Sequence, residues 1–122
     1  MAGYRLWDAK KYPEARTALK AFLAKYPKHR RASYAQNLIG RSYLDEGSPG
    51  NAAEAFAANY QTNPRGDRAQ ESLYFLGQSL MQLKKPADAC RVYHEIDDAY
   101  GDKVADNLKG RIAAARKEAK CK

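Results

Sequence analysis

Hydrophobic positions recur along the whole chain at the spacing of amphipathic helices. Leu73, Leu76, Leu80 and Leu83 follow one another by three or four residues, which places them on one helix face. Polar residues fill the opposite face, and prolines and turn residues separate the stretches. The pattern predicts no strand and seven helices, at about residues 2–10, 13–26, 31–46, 50–62, 68–84, 86–99 and 103–120.

A period of 37 residues underlies these helices. Each copy carries a glycine, then an alanine, then a large apolar residue. The three copies are Gly3, Ala15 and Leu19, then Gly40, Ala52 and Phe56, then Gly77, Ala89 and Tyr93. Small residues in register indicate points where two helices cross closely. The period predicts stacked helical hairpins at about 1–29, 30–66 and 67–102, with a capping helix at 103–120 that covers the open end.

Two helix starts carry local signals. Ser48-Pro49 reads as an N-cap followed by proline at the first helical position, where its missing N–H does no harm. Asp67 with Gln70 three residues later has the form of a capping box. Both signals predict helices that begin close to these residues.

The net charge of the chain indicates what kind of partner it binds and says little about its fold. The chain has 122 residues and a formal net charge of +8, which favours an anionic partner or else a merely solvated cationic surface. Apart from Lys28-His29-Arg30-Arg31 the basic residues are dispersed, and no nucleic-acid motif is present, so no nucleic-acid partner is expected. No apolar run approaches the ~18–20 residues of a membrane span, so no membrane insertion is expected.

No constellation of catalytic residues is found. The sequence lacks a nucleophile elbow, a Gly-rich phosphate loop and an H-E-x-x-H motif. Cys90 and His94 stand at i and i+4, but a structural zinc site needs four ligands, and the sequence shows no convergent second pair. We therefore predict a protein that is not an enzyme and has neither a metal nor another cofactor.

The repeat unit resembles the tetratricopeptide repeat. The family pattern W-x2-L-G-x2-Y, A-x3-F, P appears as Gly40-x2-Tyr43, Ala52-x3-Phe56 and Pro64. A second copy reads Leu76-Gly77-x2-Leu80 and Ala89-x3-Tyr93, and the tryptophan slot holds Gln36 or Leu73. The resemblance covers nearly the whole chain. It implies an all-α solenoid of three tetratricopeptide hairpins that binds another protein.

The 37-residue unit, with Tyr26-Pro27-Lys28 leading into Ala35-x4-Gly40, is similar to the repeats of periplasmic Tol-Pal system proteins of the YbgF type, also called CpoB. That resemblance implies a periplasmic scaffold that binds TolA and coordinates outer-membrane constriction with septal peptidoglycan synthesis in cell division. The alternative is a generic tetratricopeptide adaptor, or a module of an outer-membrane-assembly lipoprotein, that binds an acidic peptide or protein surface.

The opening helix is short, since few residues precede Gly3 whereas about seven helical residues precede the later glycines. We therefore expect this chain to be the C-terminal part of a longer protein. By the resemblance, the upstream part holds a signal peptide and a coiled coil through which the protein oligomerises.

Cys90 and Cys121 are the two cysteines. The resemblance implies a disulfide, because alphaproteobacterial proteins of the YbgF type carry cysteines at both places and the periplasm is oxidising. However, a hairpin that turns at Gly101 sets Cys90 level with Ile112. Cys121 would then lie about nine residues, or roughly 13 Å, too far along. The alternatives are a tail that curls back to close the bridge, or a buried Cys90 with a free tail thiol.

The partner-binding surface follows from the resemblance, because the first helix of each tetratricopeptide hairpin lines the concave face. An aromatic, amide and cationic mixture there suits a peptide. The expected residues are Tyr4, Trp7, Tyr34, Asn37, Arg41, Leu44, Tyr74, Gln78 and Met81, with Arg111 at the end of the row.

Overall fold

The computed structural model describes residues 2–121 and is all-α over that range. The helices are α1 Ala2–Asp8, α2 Tyr12–Lys25, α3 Ala32–Asp45, α4 Pro49–Thr62, α5 Ala69–Gln82, α6 Pro86–Tyr100 and α7 Asp106–Glu118, with a 3-10 turn at Gly101–Lys103. The all-α helical-repeat fold predicted from the sequence is confirmed.

The helices form antiparallel hairpins stacked side by side, and the odd-numbered helices lie on the inner side. Among the described residues, α1 approaches α3, α3 approaches α5, and α5 approaches α7 within 8 Å between Cα atoms. No such approach joins α2 to α4 or α4 to α6. The even-numbered helices therefore splay apart, and the stack curves so that α1, α3 and α5 line its concave face.

Within each hairpin a glycine receives the large side chain of the partner helix. Phe56 is fully buried, and a Cβ added to Gly40 would overlap its ring. The same relation holds for Gly3 with Leu19 and for Gly77 with Tyr93. Gly40 is thus constrained by space rather than by backbone angle, and the repeat landmarks mark real helix crossings.

The capping signals in the sequence predict the start of α4 better than the start of α5. Ser48 occupies the N-cap of α4 with Pro49 first in the helix, although its side chain makes no capping bond. The predicted capping box at α5 is wrong, because the N-cap is Arg68 and it has no side-chain cap. Gln70 instead accepts a bond from the amide of Ala105 at 2.9 Å and donates to the carbonyl of Lys103 at 3.1 Å. It ties the α6–α7 connection to α5.

Each inner helix ends in the same left-handed turn. Lys10, Gly47 and Lys84 occupy equivalent positions with φ of 63°, 89° and 60°. After α5, the amide of Lys84 donates to Met81 and that of Lys85 to Leu80, the two bonds of a Schellman motif. Only Gly47 occupies this conformation without a steric penalty from a Cβ.

Lys84→Gly is expected to raise the free energy of unfolding by about 0.5–1 kcal/mol, because relief of the left-handed strain outweighs the added freedom of the unfolded chain. Urea denaturation monitored by circular dichroism measures the change. Lys85→Gly is the matched control, since Lys85 has φ of −120° and should gain nothing. Equal stabilisation by both substitutions would contradict the explanation.

The capping helix α7 closes the end of the stack over α5 and α6. Val104, Leu108, Ile112 and Ala115 are buried in one cluster with Tyr93. Leu73, Ala89, Ile96 and Ala119 are buried in the same cluster, and the two cysteines, Cys90 and Cys121, pack against it. The predicted start of this helix at residue 103 is wrong, because a 3-10 turn and two extended residues precede Asp106.

Cys90 and Cys121 are joined by a disulfide, with their Cα atoms 5.5 Å apart. The assumed turn at Gly101 is wrong, because the connection between α6 and α7 spans residues 101–105, which sets Cys90 about level with Arg116. The tail then reverses at Lys120, with φ of 59°, and the Cys121 amide donates to Arg116 at 2.9 Å. Both features remove the overshoot.

No helix within residues 2–121 is long and apolar enough to cross a membrane.

Candidate partner-binding face

The concave face carries a continuous row in which arginine guanidinium groups alternate with aromatic rings. Arg41 lies over Trp7 at 4.5 Å and over Phe75 at 5.0 Å, measured from the guanidinium carbon to the ring centroid. Arg111 of α7 lies over Phe75 at 5.6 Å and over Tyr74 at 4.6 Å. We call these five residues the arginine–aromatic row. It brings together side chains from four helices.

Helix spacing and neighbouring contacts explain the row. Trp7, Arg41 and Tyr74 belong to α1, α3 and α5, and these helices approach one another on the inner side. The indole of Trp7 is fixed by a bond from its Nε1 to Asp45 at 3.1 Å. At the other end, Arg111 projects from α7 because the capping helix lies against α5. The row is therefore positioned by the stacking itself.

A second arginine pair surrounds Tyr34 at one edge of this face. Arg68 lies 5.1 Å and Arg31 lies 5.6 Å from the Tyr34 ring centroid. Burial raises the pKa of the Tyr34 hydroxyl and nearby Tyr4 adds to the rise, while Arg68, Arg31 and Arg41 act in the opposite direction. The phenol stays neutral, and the positive field at this edge comes from three guanidinium groups.

Asn37 was predicted to contact a partner. That prediction is wrong, because the residue is only 1 % exposed. Its Nδ2 donates to Glu71 at 3.0 Å, and its Oδ1 accepts from the Ser72 hydroxyl at 2.8 Å. Asn59 of α4 in turn donates to Ser72 at 2.8 Å and to the Ser33 carbonyl at 3.0 Å. Asn37 belongs to a buried polar network that joins α3, α4 and α5.

The network ends at Glu71, which brings a carboxylate to the cationic concave face. Its oxygens lie 3.7 Å from Arg41 Nη1 and 4.0 Å from Arg68 Nε. Those separations are longer than hydrogen bonds, so the ion pairs leave guanidinium N–H groups available to a better-placed acceptor. The hydrogen bond from Asn37 holds Glu71 in this position.

The other residues predicted to bind a partner differ in how exposed they are and in whether they already bond to another residue. Tyr4 is 41 % exposed and lies beside Trp7, with ring centroids 5.9 Å apart. Leu44 and Met81 are half-buried. Gln78 is engaged, because its Nε2 donates to the Tyr93 hydroxyl at 2.8 Å. Burial raises the pKa of Tyr93 to about 12, although the bond from Gln78 lowers it, so the phenol stays neutral at ordinary pH.

Sequence reasoning missed Phe75, Glu71, Arg68 and Arg31. A signal for the arginines was present, since Arg31 and Arg68 are one 37-residue period apart. Phe75 follows Tyr74 directly and falls outside a single helical stripe, but its ring also stacks on Phe56, with centroids 5.6 Å apart. It serves the core and the concave face together.

The outer face carries two shallow grooves, one between α2 and α4 and the other between α4 and α6. They are repeat equivalents of about 310 and 370 Å³. Ile39 lines the first groove and Leu76 lines the second. Both have mixed-sign rims, with Lys20 and Glu54 at the first and Arg91 and Glu95 at the second. Neither groove concentrates charge as the concave face does.

The i, i+4 pair Cys90 and His94 does not form a metal site, because the Cys90 sulfur is committed to the disulfide. Within residues 2–121, no group of three or more histidine, cysteine, aspartate and glutamate side chains is arranged to hold a metal ion.

Stacked helical hairpins with an exposed concave side define a class of protein-interaction modules. A model of the tetratricopeptide repeat family matches residues 1–64 and again residues 37–104, and together the matches span most of the chain. The chain belongs to the tetratricopeptide repeat family. A search of the curated proteins finds no match. Tetratricopeptide domains are generally non-enzymatic and bind other proteins.

Proposed function

We propose that this protein is a periplasmic scaffold of the Tol-Pal type that binds TolA through its concave face and helps coordinate outer-membrane constriction with septal peptidoglycan synthesis. The observation that carries the choice of surface is the arginine–aromatic row. Rings give a partner large contact area at small entropic cost, and aromatic and arginine residues dominate the energetics of protein interfaces.

Two further features support the cellular assignment. The 37-residue unit is similar to that of the YbgF type. The Cys90–Cys121 disulfide suits an oxidising compartment, because such bonds are rare in the reducing cytosol. In this proposal the protein has no catalytic role and no membrane insertion, and it oligomerises through an upstream coiled coil.

Tyr74→Ala is expected to weaken binding of the TolA periplasmic domain by about tenfold or more, as at an interface hot spot. Tyr60→Ala is the matched control, because Tyr60 packs against the same core cluster but lines an outer groove. Isothermal titration calorimetry with each purified variant gives the affinities, and thermal unfolding corrects for lost stability.

The outcomes separate the two parts of this proposal. If the unaltered protein fails to bind TolA, the Tol-Pal assignment is rejected, while the fold and the interaction class stand. If TolA binds and Tyr60→Ala weakens it as much as Tyr74→Ala, the concave face is not the binding surface.

A further inference from the structure

We infer that the concave face recognises an internal acidic segment of its partner, with carboxylate side chains seated on the guanidinium groups of Arg41 and Arg111. This inference rests on the proposed use of the concave face and names the chemistry of the segment bound there. It requires no free chain terminus, because side-chain carboxylates can supply the acceptors for both guanidinium groups.

The first argument is preorganisation. Arg41 is held between the rings of Trp7 and Phe75, and Arg111 lies over Phe75 and Tyr74. Contact with aromatic rings restricts the freedom of an arginine side chain before any ligand arrives. Bidentate binding of a carboxylate then costs less entropy than it would with a freely moving arginine.

The second argument is unused charge. Within residues 2–121, no carboxylate lies within 4.0 Å of a nitrogen of Arg111. Arg41 has only the 3.7 Å approach of Glu71, which is too long for a hydrogen bond. Arg31 and Arg68 add positive charge at the Tyr34 edge. The net charge of +8 gives the same sign over longer distances.

Two carboxylates on one side of a peptide can reach both arginines. The guanidinium carbons of Arg41 and Arg111 lie 5.0 and 5.6 Å from the same Phe75 ring centroid. Alternate residues of an extended chain point to one side about 6–7 Å apart, and residues three or four apart on a helix are about 5–6 Å apart. Long, flexible glutamate side chains can make up any difference between these peptide spacings and the separation of the two guanidinium groups. The requirement is therefore a pair of acidic residues that share one side.

Glu71 has a defined part in this arrangement. Its carboxylate is the negative group next to Arg41, and Asn37 holds it in place. An incoming carboxylate is repelled by Glu71 and competes with it for Arg41. Glu71 therefore weakens acidic ligands while it keeps Arg41 oriented, and it contributes to specificity as a repulsive element.

The test uses a blocked peptide of alternating glutamate and alanine, with a second peptide in which every glutamate is replaced by glutamine. Trp7 is the single tryptophan and lies against Arg41, so its fluorescence reports binding. We expect the acidic peptide to bind about tenfold or more tightly than its glutamine form at low salt, and the difference to shrink as salt is added.

Four variants probe the mechanism. Arg111→Gln should weaken the acidic peptide about tenfold, and Arg111→Lys should also weaken it, since lysine keeps the charge but not the planar fork. Arg91→Gln is the control, because Arg91 is an exposed outer-face arginine that should not affect binding. Glu71→Gln should tighten binding about threefold or more, which loss of a purely structural group would not do.

The failures are distinguishable. Equal binding of the two peptides, or an equal loss in Arg111→Gln and Arg91→Gln, overturns the acidic-segment inference even when TolA binds. Preference for the acidic peptide without any binding of TolA supports the inference and rejects the Tol-Pal assignment. Weaker binding in Glu71→Gln overturns the assigned part of Glu71.

Discussion

Loss of the Cys90–Cys121 disulfide is expected to lower the free energy of unfolding by about 3–4 kcal/mol. The bridge links residues 31 apart in sequence, and a closed loop of that size restricts the unfolded chain by about this amount. The bridge also fastens the end of α7 to α6, where Ala119 is buried in the common cluster. Chemical denaturation of Cys90→Ser/Cys121→Ser, compared with the oxidised protein, measures the change.

A second comparison separates the bridge from the side chains. Reduction of the unaltered protein should destabilise it by nearly the same amount as the double substitution, and the reducing agent should leave the double variant unchanged. A double variant as stable as the oxidised protein would show that packing of Val104, Leu108 and Ile112 holds the capping helix without the bridge.

Phe56→Ala is expected to lower the free energy of unfolding by about 3–5 kcal/mol, the range for removal of a buried phenylalanine. Phe56 is fully buried, occupies the space beside Gly40 and stacks on Phe75. Because Phe75 also supports Arg41, the loss should reach the concave face. Urea denaturation gives the stability, and acidic-peptide titration of the folded protein gives the loss of binding.

A double-mutant cycle tests the crossing itself. Gly40→Ala alone should cost about 1–3 kcal/mol, because its Cβ overlaps the Phe56 ring. In the Phe56→Ala background the same change should be neutral or stabilising, since the ring is gone and alanine is the better helix former. Gly50→Ala is the control, because a Cβ there meets nothing within 4 Å. Additive effects of Gly40→Ala and Phe56→Ala would contradict a steric role for Gly40.

Spacing along the chain was enough to predict the hairpins but not the detailed surface. The positions of Gly40 and Phe56 recur in every repeat because the two helices of each hairpin cross closely there. The periodicity therefore indicates the packing directly. Asn37 shows where this reasoning stops. It lies on the inner helix face, yet that face also meets the next helix, and only the structure shows that Glu71 and Ser72 enclose it.

The α6–α7 connection could not be predicted for a related reason. The 3-10 turn and the extended residues Val104 and Ala105 depend on contacts with α5, above all the bond that Gln70 donates to Lys103 and the bond that it accepts from Ala105. Sequence spacing carries no signal for contacts between residues this far apart. The misplaced turn, together with the unforeseen reversal of the tail at Lys120, set the expected position of Cys121 beyond reach of Cys90.

Within residues 2–121, helices α1 and α7 are held against their neighbours to very different degrees, which predicts where local unfolding occurs first. The disulfide and a buried apolar cluster hold the capping helix α7 against α6, whereas α1 has seven residues and only Gly3 is buried among them. We expect amide hydrogen exchange to be fastest in α1 and to slow toward α6. Trp7 belongs to α1 and contacts Arg41. A partner that binds Arg41 would therefore also stabilise α1. Part of its binding free energy would be spent on that ordering, and slower exchange in α1 would record it.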